Sequence, residues 1–150
     1  MDHERWMRQA LALADEAAAA GEVPVGCVIV REGRIVGRGR NRREEERSAL
    51  AHAEMDAIRE ACAALGDWRL TDCGLYVTLE PCPMCAGAIL NARLKQVCFG
   101  ARDEKTGSCG SVLNLFEENY GYRPAVYGGI LEAECLERMR SFFQSLRSAD

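Results

Sequence analysis

No run of about 18 apolar residues, the length a membrane-spanning helix needs, occurs in this 150-residue chain, so it offers no candidate transmembrane segment. Its first ten residues, MDHERWMRQA, mix charges among the apolar residues and lack the apolar stretch of a signal peptide. The chain is therefore expected to work in the cytoplasm, with reduced cysteines. Internal repeats and low-complexity linkers are also missing, and one domain over 1–150 is expected. A chain of this length buries about two thirds of its unfolded surface and needs no disulfide to fold. At 48% hydrophobic and 28% charged residues, it falls outside the disordered and fibrous classes. Lysine is scarce, two residues against seventeen arginines. Guanidinium groups suit phosphate, and a GC-rich genome produces the same bias. The net charge is −4 and Glu44, Glu45 and Glu46 follow one another, the opposite of a broadly basic nucleic-acid surface.

Histidine is scarcer still for its catalytic value, with two in the chain, whereas cysteine is plentiful, with eight. Six of the cysteines stand singly in apolar or strand-like segments. They read as buried free thiols, Cys27 and Cys98 behaving as small core hydrophobes. Only Cys82 and Cys85 are spaced as a pair.

Periodicity predicts helices over 3–20, 52–64, 83–92 and 132–146. Trp6, Ala10, Leu13, Ala14 and Ala17 share one side of the first helix, and Gly21 stops it. Strands are expected at 25–30, 34–39, 74–79, 96–100 and 125–129, the first two joined as a hairpin through REG. Strands alternating with helices imply an α/β, three-layer α-β-α sandwich around a mixed five-stranded sheet. The sheet should be largely parallel, with the hairpin as its antiparallel edge. In that architecture sites lie beyond the carboxyl ends of the strands.

Two stretches fall at such places: LAHAEMDAIREA (50–61) and LEPCPMCAGAIL (79–90). Cys82 and Cys85, three apart at a helix start, share a face, and the helix dipole favours their thiolates. Pro81 suits a position at the helix start. Alone, C-x-x-C fits a redox motif, a zinc pair or chance. His52 adds an imidazole, giving three nitrogen and sulfur ligands of the kind zinc prefers. Three ligands leave a fourth corner open, the catalytic rather than the structural arrangement. Glu54 is placed to act as general acid and base. Read singly, His52 is a satisfied polar residue and Glu54 a solvated helix charge; the ordered combination makes that reading a poor one. Cys109, in TGSCGS, is the one further sulfur that a closed site could draw on.

HAE (52–54) followed by PCPMC (81–85) resembles the signature of the zinc-dependent cytidine and adenosine deaminases. EVPVG (22–26), Asn41, AHAE (51–54), LYVTLEPCPMCAGAI (75–89) and FGARDEKTG (99–107) resemble, more narrowly, the bacterial tRNA-specific adenosine deaminases that convert wobble adenosine to inosine. The resemblance covers nearly the whole chain. It implies a cytidine deaminase-like fold and one Zn2+ per chain on His52, Cys82 and Cys85, with Glu54 moving protons. It also implies substrate contacts at Asn41, at the Ala53 backbone and at Arg102, Asp103 and Lys105, with Val25 and Pro81 lining the base pocket. Phe142 and Phe143 match an aromatic pair that seats the anticodon loop; core packing is the other reading of the two rings. The implied partners are a tRNA anticodon loop, an arginine tRNA in particular, and a second copy of the chain in a homodimer. SALAHAE stands where the family commonly has Asp-Pro-Thr before its A-H-A-E. Two other readings remain, a deaminase of free nucleobases or nucleosides and a non-catalytic, zinc-stabilised RNA-binding subunit.

Overall fold

Alternation along the strands decides which helices cover which face. The structure, a computed structural model, describes residues 2–148; residues 1, 149 and 150, the ends of the expected domain, lie outside the described residues. Five strands, β1 (Gly26–Arg31), β2 (Arg34–Arg40), β3 (Gly74–Leu79), β4 (Gln96–Ala101) and β5 (Ala125–Tyr127), form one sheet in the order β2-β1-β3-β4-β5. Cys27, Ile29, Leu75, Val77, Val97 and Phe99 point to one face. Val28, Tyr76 and Cys98 point to the other, as the period of two requires. Helices α3 (Ala53–Leu65) and α4 (Pro83–Ala92) cover the first face. Helices α1 (His3–Ala19) and α5 (Glu132–Ser148) cover the second. This is the expected three-layer sandwich, and none of the described helices is long and apolar enough to cross a membrane.

The hairpin forms as expected, through Glu32 and Gly33, both at positive φ (50° and 75°), the two-residue turn that matches strand twist. Its place differs in detail. β1 pairs antiparallel with both β2 and β3, whereas β3, β4 and β5 pair in parallel. The reversed strand is thus inside the sheet, and the edge strand β2 runs with the other three. β5 ends at Tyr127, before Gly129 takes a positive φ of 83°; between them a Cβ on Gly128 would stand 2.4 Å from the Phe99 ring. The sequence pattern did not show α2 (Arg43–Glu46), a single turn too short for periodicity, nor a 3-10 turn at Leu115–Glu117.

The alanine-rich stretch at 50–61 has a packing reason. Ala53, Ala57 and Ala61, four apart on one ridge of α3, are all fully buried against the glycines of β2. A Cβ on Gly39 would stand 2.0 Å from the Ala53 carbonyl oxygen, and one on Gly37 2.2 Å from that of Ala57. Small residues on both sides let helix and strand approach closely, and that approach sets the start of α3 at the end of the sheet.

Candidate active site

His52 and Cys82 occupy equivalent positions, each the cap residue before a helix. Both take extended backbone angles (φ −87°, ψ 153° and φ −76°, ψ 175°), and neither side chain caps its own helix. The two side chains are free to face each other, and the positive ends of α3 and α4 converge between them. Pro83, rather than Pro81, takes the first position of α4, where its missing N–H is tolerated. Cys85 follows in the first turn and is buried. His52 Nδ1 lies 3.6 Å from Cys82 Sγ and 3.5 Å from Cys85 Sγ. Tetrahedral zinc with bonds of about 2.3 Å to sulfur and 2.0 Å to nitrogen would put those atoms ~3.5 Å apart. The donor set fits a zinc-sized ion. Among the described residues this is the one group of three or more such side chains that could hold a metal ion, with all its donor atoms within 4.8 Å of one another.

The electrostatics separate this pair from the other cysteines. The neighbouring Cys85 thiol and the His52 imidazole hold Cys82 down at about 4, and sharing a proton with Cys82, together with burial, drives Cys85 up. Burial alone pushes Cys98 up to about 12, and burial with the nearby Glu80 and Glu54 charges does the same for Cys109. All eight cysteines are free. Cys109 is outside the candidate metal group, buried, with its backbone N–H on Glu80.

Glu54, in the first turn of α3, is 4% exposed. Hydrogen bonding from the backbone and the His52 charge favour its carboxylate, but burial outweighs them and raises it to about 7. It too is outside the metal-holding group. A buried carboxyl raised toward neutrality and standing outside the donor group is suited to moving protons.

His52, Glu54 and Cys82 form the floor of a cleft of about 530 Å3. Val25, Asn41, Ala53, Arg102, Asp103, Lys105 and Phe143, each an expected substrate contact, line it. Pro81 does not: it is buried behind the wall, with its carbonyl accepting from Ser108 N–H. Phe142 does not either, since it borders a groove beside Asp15 and Ala18 of α1. Consecutive helix residues point about 100° apart, so one ring of the pair faces the cleft and the other turns away, their centroids 5.4 Å apart. Two expected contacts have structural work. Asn41 Oδ1 accepts from Arg43 N–H at 3.1 Å, and the Asp103 carboxylate accepts from Lys105 N–H, Thr106 N–H and the Thr106 hydroxyl.

The model of the MafB19-like deaminase family matches residues 1–147. The chain belongs to that family. The tRNA-specific adenosine deaminase of Bacillus subtilis (strain 168) is 49% identical over 145 residues, covering 96% of this chain and 90% of the relative. A solved tRNA:A34 deaminase, from work on A-to-I editing at the wobble position, superposes with a TM-score of 0.85 at 44% identity over 89% of this chain and 98% of that one. A guanine deaminase from Bacillus subtilis superposes with a TM-score of 0.67 at 37% identity, over 99% and 95%.

Two buried carboxylates of this deaminase went unread in the sequence, where Glu22 and Glu80 look like surface charges. Each is 2% exposed. Glu22 accepts from Glu44 N–H and Glu45 N–H, at 3.1 and 2.7 Å, and so caps α2 from a distance. Glu80 accepts from the N–H groups of Asp103, Cys109 and Ser111 and from the Ser111 hydroxyl. Burial pushes its pKa up, but those hydrogen bonds win and hold it below the usual carboxylate value. Gly107 leaves room for it: a Cβ there would stand 2.4 Å from the carboxylate carbon. The signal available was position, a glutamate directly before the P-C-x-x-C. Glu80→Gln would turn an NH2 group toward these donors, at a cost of about 1–3 kcal/mol. Thermal unfolding should show Tm lowered by roughly 3–10 °C; an unchanged Tm would contradict this role.

Proposed function

We propose that this protein hydrolytically deaminates adenosine to inosine at the wobble position of a tRNA anticodon, an arginine tRNA in particular, as a cytoplasmic homodimer with one zinc per chain. The observation that carries the chemistry is the buried Glu54 carboxyl in one open cleft with His52 and Cys82, beside the donor group that they complete with the fully buried Cys85. The likeness to tRNA-specific adenosine deaminases over nearly the full length of both chains supports the substrate. The family resemblance alone supports the homodimer and the arginine tRNA.

A zinc ion held by His52, Cys82 and Cys85 would supply the Lewis acidity that ionises water near neutral pH. Glu54 takes one proton from the water and delivers it to adenine N1, then takes the second from the oxygen now on C6 and delivers it to the departing amine as the C6 carbonyl forms. An oxygen–C6 bond forms, the C6–N bond breaks, and ammonia leaves. Val25 and Ala53 wall the base, and Asn41, fixed by Arg43 N–H, stands beside the sugar. The base reaches this floor only when swung out of its stack, which a single-stranded loop allows at lower cost than a duplex.

The deciding assay follows inosine in an anticodon stem-loop with adenosine at the wobble position, run beside free guanine, cytosine and adenosine. Inosine in the stem-loop is expected. Consumption of a free base with an untouched stem-loop would instead establish the reading that the guanine deaminase likeness favours.

A further inference from the structure

The run REEER (43–47) sets a charge problem for an enzyme acting on RNA, because three glutamates stand just before the site helix in a chain of net charge −4. The fold of α2 resolves it. Glu45 turns back onto Arg40 and Arg42, at 2.9 and 2.7 Å, and Arg42 also reaches Asp56 at 3.5 Å. Glu44 and Glu46 are exposed and do not line the cleft. Arg43 is the residue of α2 that does.

Its position is fixed. The Arg43 N–H is held by Asn41 Oδ1, and the next two N–H groups are held by Glu22, so the turn that carries this side chain is pinned at its N-terminal end. Among the described residues no ion pair engages the Arg43 guanidinium, the Arg102 guanidinium or the Lys105 ammonium; Arg43 follows β2, whereas Arg102 and Lys105 follow β4, on the other side of β1 and β3 in the sheet, and form the opposite rim. The acids of that rim are Asp103, whose carboxylate is bound within its own turn, and Glu104. Cations therefore stand on both sides of the mouth of a cleft whose floor holds the reactive groups. A nucleotide inserted base first leaves its 5′ and 3′ phosphates at the mouth, one toward each rim. A guanidinium is a forked donor matched to phosphate oxygens, and a local cation steers a polyanion even where the net charge opposes it.

We infer that Arg43 is a specificity-determining residue that grips a backbone phosphate next to the inserted nucleotide, across the cleft from Arg102 and Lys105. The inference rests on the RNA reading above and adds to it a residue that separates RNA from a free base, which has no phosphate to offer.

The test compares zinc-loaded wild type with Arg43→Ala, Arg43→Lys and Arg43→Glu, and with Glu44→Gln as control, on the anticodon stem-loop at several salt concentrations. Arg43→Ala should raise KM about tenfold while kcat stays within about twofold. The plot of log kcat/KM against log salt should become shallower by about 0.7, the loss of one phosphate contact to a single strand. Arg43→Lys should recover most of KM, Arg43→Glu should raise it further than alanine does, and Glu44→Gln should match wild type. Wild-type activity with KM and salt slope unchanged in Arg43→Ala overturns the assignment, as does a fall in kcat alone. A wild type inactive on the stem-loop overturns the RNA reading and this inference with it.

Discussion

Glu54→Gln should retain its zinc and lose turnover, with kcat falling by up to about 10^4-fold, the range for a positioned general acid and base. Metal analysis beside inosine formation checks this, and loss of the metal with the activity would mean that Glu54 had been misread. The same variant should show a second effect in metal-free protein. Burial raises the Glu54 pKa from 4.5 to about 7, so the folded state favours the protonated form. Stability from this group is fully present below the unfolded value and falls as pH rises through the folded one. The decline between those values is on the order of 3 kcal/mol. Metal-free Glu54→Gln carries no such charge and should melt above metal-free wild type at pH 8, with the difference vanishing near pH 4. A carboxyl that costs stability where it sits is a mark of catalytic use.

Cys85→Ala should reduce zinc from about one ion per chain to a trace and abolish activity with it, because two remaining donors do not make a catalytic site. Cys135→Ala, which removes a thiol of α5 buried against β4, should keep its zinc. Chelation should act on wild type as Cys85→Ala does. Zinc at a thousandfold excess over its Kd stabilises the fold by about 4 kcal/mol, and the chelated protein should lose that increment in Tm. Full zinc content in Cys85→Ala would remove this residue from the proposed ligand set.

Much of the architecture was legible because both faces of the sheet are covered, so the central strands read as short continuous apolar runs (VGCVIV, GLYVTL, QVCFG) and each helix shows one apolar side. The metal donors were legible for a related reason. Groups that act together at a helix start must lie at fixed short spacings, His52 with Glu54 in HAE and Cys82 with Cys85 in PCPMC, whichever loops surround them. What escaped has no local periodicity. The reversal of β1 inside the sheet depends on pairing with β3, nearly fifty residues on, and α2 exists because Glu22 and Asn41 satisfy its first N–H groups. Glu80 looks like any charged residue until Asp103, Cys109 and Ser111 are seen to point at it. The Phe142–Phe143 pair is a geometric matter: successive side chains on α5 point about 100° apart, so Phe143 lines the cleft and Phe142 borders the groove beside α1.

The two buried carboxylates, one behind each rim, assign the burden of adaptation. With α2 fastened to Glu22 and the 103–111 turn to Glu80, the protein is already arranged before its substrate arrives and has little configurational freedom left to surrender. The entropy lost on docking then falls on the nucleic acid. How readily a loop splays one nucleotide, rather than how far the enzyme bends to meet it, becomes the quantity that ranks one RNA above another.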